Sequence, residues 1–209
     1  GLHLVATANA EMVMLANENP TLHPILNNAS LVVPDGAGIL WAAERQGEHV
    51  PERVTGVDVT KELFKVAATH QIPVYCLGAA PGVAQRAIDN VSAQVGVLNI
   101  AGIHDGFFDS AEEQEIIKSI ADSKAKLVFV ALGVPKQEQW IAEKLSHLDG
   151  VVAIGIGGSF DVLAGNIPRA PEWMQQNRLE WLYRLYLEPQ RIGRMLAIPK
   201  FMWTVIRNK

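Results

Sequence analysis

The sequence predicts an α/β fold: a mostly parallel sheet with helices on both faces, followed by a C-terminal helical appendage. Two observations predict the sheet. Short apolar runs rich in Val, Ile and Leu alternate with helical stretches along most of the 209 residues, which is the pattern of βαβ units. Several of these runs end in glycine-containing turns just before a helix begins. A third observation predicts the appendage. After Pro171 the strand pattern stops, and the remaining chain is amphipathic, helical and basic. The core is therefore expected at 1–170 and the appendage at 171–209.

Strands are expected at 4–7, 31–33, 74–77, 98–103, 127–132 and 151–156, each a short apolar run bounded by turn formers. Helices are expected at 10–17, 22–27, 38–45, 57–69, 83–94, 111–122 and 136–145. Asn9 stands where it can cap the first of these. Ser110 with Glu113 has the spacing of a capping box. In the appendage, Pro189 and Pro199 predict breaks between short helices. No internal repeat or low-complexity tract is present.

Composition narrows the class. The chain is 49% hydrophobic and 19% charged, enough apolar side chain for a core and unlike a disordered segment. Cys76 is the sole cysteine, so it forms no intrachain disulfide and no thiolate zinc cluster. Its apolar strand context predicts a buried core residue, and a reducing, cytoplasmic compartment fits. The uncharged run from 66 to 85 contains Pro73, Gly78, Pro81 and Gly82, which makes it a helix end, a strand and a turn rather than a membrane span. The net charge is −4, yet residues 178–209 hold seven basic side chains and two acidic ones, which marks the C-terminal part as a separate functional element.

Chemistry is expected at the carboxyl ends of the strands, where open α/β sheets bind ligands. Asp35 follows Val33-Pro34 and precedes Gly36, so it sits on a turn at a strand end. Alone, it reads as a turn former or as a catalytic acid. Gly78, Gly133, Gly157 and Gly158 lie in three strand-to-helix turns. Such turns let a backbone approach a phosphate at a helix N-terminus, although tight turns need glycine in any case. Three on one sheet edge favour a nucleotide or phosphate ligand. The G-x-G-x-x-G fingerprint and the G-x-x-x-x-G-K-[ST] loop are both absent, which disfavours a dinucleotide dehydrogenase and a P-loop NTPase. There is no D-x-D pair, no H-E-x-x-H and no Cys/His cluster, so no metal site and no cofactor is expected. Thr7 and Asn9 follow the first strand, Arg53 lies in a polar loop, and Gln137 heads a helix. Asp161 fits a helix cap and a ligand contact equally.

Five segments carry a family resemblance: Val33-Pro34-Asp35-Gly36; Pro51-Glu52-Arg53-Val54-Thr55-Gly56; Ala131-Leu132-Gly133-Val134-Pro135-Lys136-Gln137-Glu138; Gly157-Gly158-Ser159-Phe160-Asp161; and Glu180-Trp181-Leu182-Tyr183-Arg184-Leu185. In that order they resemble the WecG/TagA/CpsF glycosyltransferases of bacterial surface-polymer synthesis. The family usually begins with a further strand and helix, so the chain is expected to be a piece of a longer one. The resemblance implies a Rossmann-like sheet with the helical appendage, and an inverting, metal-independent transfer from a UDP-sugar to an undecaprenyl-diphosphate-linked acceptor. In the teichoic acid branch, towards which the motifs lean, N-acetylmannosamine passes to the 4-hydroxyl of undecaprenyl-diphospho-N-acetylglucosamine. Other branches use its uronic acid or a hexose, and a nucleotide-binding scaffold without transferase activity is the remaining alternative. Position by position, the resemblance makes Asp35 the catalytic base and sets Thr7, Asn9, Arg53 and Gln137 around it. It makes Arg184, Arg191 and Arg194 the groups that meet the diphosphate.

A lipid-linked acceptor calls for the inner face of the plasma membrane as a partner. The appendage, where basic residues alternate with Trp181, Tyr183, Tyr186, Phe201 and Trp203, has the composition of an interfacial anchor. Docking there is expected to fold it over the pocket. No nucleic acid partner is expected, and a homo-oligomer stays open.

Overall fold

Alternating strand and helix leaves the strands one geometry, parallel, because each crossover returns the chain to the starting edge of the sheet. The computed structural model describes residues 1–50, 54–177 and 179–207. Its strands are β1 (Leu2–Ala8), β2 (Leu31–Pro34), β3 (Val74–Gly78), β4 (Ile100–His104), β5 (Leu127–Ala131) and β6 (Val151–Gly155). They form one sheet in the order β2-β1-β6-β5-β3-β4, and every pairing among the described residues is parallel. β3 and β5 are buried along their whole length, as strands covered on both faces must be. β2 is an edge strand whose Leu31 and Val32 are exposed. Its last residue is Pro34, tolerated because an edge strand has one unpaired side.

The helices are α1 (Ala10–Glu18), α2 (Leu22–Asn27), α3 (Ala37–Gln46), α4 (Gly56–His70), α5 (Val83–Val95), α6 (Ser110–Asp122), α7 (Lys136–Lys144) and α8 (Ser159–Leu163). On one face of the sheet, Phe64 of α4, Val83, Ala87 and Val91 of α5 and Phe160 of α8 pack over Cys76 and Phe129. Phe64 and Phe160 flank Phe129 with ring centroids 4.5 and 6.4 Å away. Such pairs add about 1 kcal/mol beyond area burial and pin the short α8. On the other face, Met12 of α1, Ile116 and Ile120 of α6, and Trp140 and Ile141 of α7 cover Leu77, Val128 and Val130. Cys76 is fully buried, and burial pushes its thiol pKa well up; it is a core residue.

Past Pro171 come α9 (Glu172–Gln176), α10 (Glu180–Leu187), a 3-10 turn at Pro189–Arg191, α11 (Ile192–Met195) and α12 (Ala197–Arg207). Phe201 of α12 is buried against Ala10 of α1 and Ala42 of α3, which joins the end of the chain to its beginning.

One local expectation is corrected. The capping box is Asp109 with Glu112, one residue before Ser110 and Glu113: the Asp109 carboxylate accepts the Ala111 and Glu112 N–H groups at 2.8 and 2.9 Å, and Glu112 accepts the Asp109 N–H at 3.1 Å. Glu113 instead accepts from Trp140 Nε1 at 2.9 Å and pairs with Lys144 at 3.0 Å. The aspartate wins the cap position because it leaves Glu113 free to reach α7. The break expected near Pro199 is present, with Pro199 itself in the first turn of α12, where a helix needs no backbone N–H. The break falls before it, at Leu196.

Candidate active site

The edge strand β2 delivers Asp35 to the carboxyl end of the sheet, and the Asp35 N–H donates to the Ala8 carbonyl at 2.7 Å. This bond ties the turn to the end of β1. The Asp35 carboxylate accepts the N–H of Gly56, the first residue of α4, at 3.2 Å. A carboxylate at a helix N-terminus meets unpaired N–H groups and the positive end of the dipole. Gly56 lies amid three side-chain oxygens: a Cβ on it would stand 3.4 Å from Asp35 Oδ2, 3.6 Å from Ser159 Oγ and 3.7 Å from Thr7 Oγ1. Thr7 is buried and its hydroxyl donates to the Gly155 carbonyl at 3.2 Å.

Sheet register explains the convergence. Thr7 pairs with Val33, Ala6 with Gly155, and Gly155 with Val130. The carboxyl ends of β2, β1, β6 and β5 are thus level, and their following turns line one cleft of about 290 Å³. Asn9 is both a lining residue and the cap of α1, its side chain accepting the Met12 N–H at 2.9 Å. Gln137 is almost completely buried, and its amide oxygen accepts the N–H groups of Gly133 at 3.2 Å and of Gly157 at 3.0 Å. These two backbone donors are thereby occupied by the protein itself. The glycine turns after β5 and β6 shape the cleft wall, and Gln137 staples them together.

Three arginines reach the cleft from the C-terminal helices. Arg184 lies on α10, Arg191 on the 3-10 turn and Arg194 on α11. The bend after Leu187, at Pro189, brings all three to the cleft lining. The Arg184 guanidinium packs directly on Gly158, where a Cβ would push the tip of the arginine aside. Arg184 and Arg191 share the Glu188 carboxylate at 3.0 and 3.6 Å, and Arg194 pairs with Glu11 at 3.6 Å. Burial pulls the Arg191 pKa below its ordinary value, and the Arg184 charge pulls it further. Its buried Nε has no hydrogen-bond partner among the described residues.

Of the sequence-predicted site residues, Thr7, Asn9, Asp35, Gly133, Gln137, Gly157, Gly158, Arg184, Arg191 and Arg194 line this cleft. Gly78 and Asp161 do not. Gly78 abuts Ala131, where a Cβ would overlap the Ala131 backbone, so strand packing accounts for it. Asp161 instead accepts from Asn166 at 3.1 Å. Arg53 lies outside the described residues. The cleft also contains residues that sequence reasoning did not select: Ser159, Glu11 and Arg169. Arg169 forms a two-pronged bond with Asp58 of α4 at 2.7 Å and reaches Glu180 of α10 at 3.5 Å, which ties the C-terminal helices to the core. Ser159 stands inside the Gly157–Asp161 segment and Glu11 two residues after Asn9; nothing local in the sequence marked Arg169.

The whole chain, residues 1–209, matches the model of the glycosyl transferase WecG/TagA/CpsF family. It is 35% identical to the N-acetylglucosaminyldiphosphoundecaprenol N-acetyl-beta-D-mannosaminyltransferase of Bacillus subtilis (strain 168) over 99% of this chain and 80% of that protein. Identity to the protein of the same name from Bacillus spizizenii is 37%, over 98% of this chain and 79% of that one. For the Staphylococcus aureus (strain NCTC 8325 / PS 47) protein it is 33%, over 98% and 80%. With motifs, fold and whole-length similarity in agreement, the chain belongs to the WecG/TagA/CpsF family of glycosyltransferases.

Proposed function

We propose that the chain transfers N-acetylmannosamine from UDP-N-acetylmannosamine to the 4-hydroxyl of undecaprenyl-diphospho-N-acetylglucosamine, with inversion at C1. The observation that carries this reading is the presence in one cleft of the Asp35 carboxylate and the arginines 184, 191 and 194. Asp35 takes the proton of the acceptor hydroxyl as its oxygen attacks C1 of the donor sugar. The bond from C1 to the UDP oxygen breaks, and UDP leaves with the electron pair. The negative charge that develops on the diphosphate is met by the arginines, aided by low local dielectric. The desolvated Arg191 gains most from such an anion, because it is buried beside a like charge. The relatives' names support the sugar and the acceptor.

Membrane association belongs to the same proposal. Arg184, Arg191 and Arg194 turn into the cleft, so the outer face of the C-terminal helices keeps Lys200 and Arg207, both exposed, beside its apolar and aromatic side chains. Tyr186 is 80% exposed and Trp203 64%, with Ile192, Leu196 and Ile206 exposed nearby. Among the described residues no helix is long and apolar enough to cross a membrane; the proposed contact is interfacial.

The test is Asp35→Asn. The amide keeps an oxygen that can accept the Gly56 N–H, so folding and UDP binding are expected to persist. Transfer is expected to fall by ~10²- to 10⁴-fold, the range for loss of a general base. Unchanged turnover would remove Asp35 from the mechanism. A donor panel of UDP-N-acetylmannosamine, its uronic acid counterpart and UDP-hexoses, with a short-chain polyprenyl-diphosphate acceptor, checks the sugar. Preference for another donor would move the assignment to a different branch.

A further inference from the structure

Glu138 is fully buried, a rare state for a carboxyl group, and takes no part in the mechanism above. One of its oxygens accepts the Gln137 side-chain N–H at 2.7 Å, and the other has no hydrogen-bond partner among the described residues. The pair lies across the end of β6, where Gly155 makes room: a Cβ there would stand 2.5 Å from Gln137 Nε2 and 2.6 Å from Glu138 Oε1. The orientation of the Gln137 amide is fixed by chemistry. Both Gly133 and Gly157 present N–H donors, so the amide must turn its oxygen to them and its nitrogen away. A carboxylate that only accepts is the side chain that enforces this choice.

We infer that Glu138 is a positioning residue: by holding the Gln137 amide nitrogen it keeps the amide oxygen on the Gly133 and Gly157 turns and so sets that wall of the cleft. Ionised, Glu138 makes a charge-assisted bond to Gln137; protonated on its unpartnered oxygen, it makes a weaker neutral one. Burial pushes the Glu138 pKa up to about 7, against the opposing pulls of Gln137 and its own backbone N–H. The wall therefore tightens as pH rises through about 7. Charged groups nearby do not set this value. β1, β5, β6 and α2 pack against α7, and their titratable side chains are His3 and His23, neither of which is among the causes of the shift. Glu113 of α6 is engaged with Trp140 and Lys144, and Glu11 of α1 with Arg194.

The inference uses the proposed transfer only for its kinetic readout; a second readout is independent of it. In the wild type, the Gly133 and Gly157 amide resonances should both titrate with a midpoint near pH 7, and donor KM should rise roughly threefold to tenfold as pH falls through that midpoint, with kcat less affected. Glu138→Gln keeps an acceptor but cannot ionise. Both resonances and KM should then be flat with pH, with KM near the wild-type low-pH value. Glu138→Met should raise KM at every pH, and should add nothing in a Gln137→Met background, because Glu138 acts through Gln137. Persistence of the glycine titration in Glu138→Gln, or equal effects of Glu138→Met with and without Gln137, would overturn the inference. Wild-type protein that titrates at both glycines yet transfers no sugar would sink the proposed function and leave the positioning role standing.

Discussion

Glu138 and Arg191 each leave one buried polar atom without a hydrogen-bond partner among the described residues, and such atoms are costly unless something answers them. In Arg191 the answer fits a ligand, since the group faces the cleft beside Arg184. In Glu138 it fits a proton, and that has a stability consequence. Below about pH 4.5 the carboxyl is neutral in folded and unfolded chains alike. Between about pH 4.5 and about pH 7 only the folded chain holds the proton, so stability falls as pH rises. Above that the penalty is full, and the span corresponds to at most about 3 kcal/mol. Denaturation of wild type and Glu138→Gln across this range should show a falling difference that the variant lacks. Parallel curves would refute the assignment. The buried Glu138 could not be read from its motif, because Lys136-Gln137-Glu138-Gln139 reads as a polar helix start; only the crossing over Gly155 buries it.

Elements are set mainly by their ends. Asn9 and Asp109 both cap helices, α1 and α6, but only Asn9 lines the cleft. Replacing either by Ala should cost about 1 kcal/mol in denaturation experiments. Asp109→Ala should leave transfer unchanged and Asn9→Ala should lower it; equal activity in both would make Asn9 a cap and nothing more. The existence and type of the core elements were legible because apolar runs and helical stretches alternate so regularly. Exact caps were less so: Asp109 and Ser110 are both good caps, and the choice turns on Glu113 meeting Trp140 and Lys144 across thirty or so residues. The breaks near Pro189 and Pro199 were legible, but not what each one does. One proline begins the bend that turns three arginines inward, and the other sits harmlessly in a first turn.

At the scale of the molecule, the sheet sets the site and the chain ends close it. Level carboxyl ends of four neighbouring strands bring Asp35, Asn9, Gly133 and Gly157 to one cleft, although they are far apart in sequence. Among the contacts that fasten the C-terminal helices to the core are Arg169 between Asp58 and Glu180, Arg194 on Glu11, and Phe201 between α1 and α3. Their remaining apolar face is the proposed membrane contact. Trp203→Ser with Ile206→Ser should lower partitioning onto vesicles of mixed phosphatidylglycerol and phosphatidylcholine by at least roughly tenfold, from the apolar area lost, without lowering Tm, since both side chains are exposed. Undiminished partitioning, or none by the wild type, would discard this face as the anchor.

The α/β class, the strand and helix alternation, the buried cysteine and the family were legible in the chain alone, because these rest on local periodicity and on contiguous motifs. Three-dimensional packing settled which strand ends stand level, which glycine amides are already taken by Gln137, and that Gly78 and Asp161 stand apart from the cleft. It also decided that a bend at Pro189 gathers Arg184, Arg191 and Arg194 into the cleft. Each of these depends on contacts between residues distant along the chain, set by sheet order and helix packing, and local pattern carries no record of such pairings.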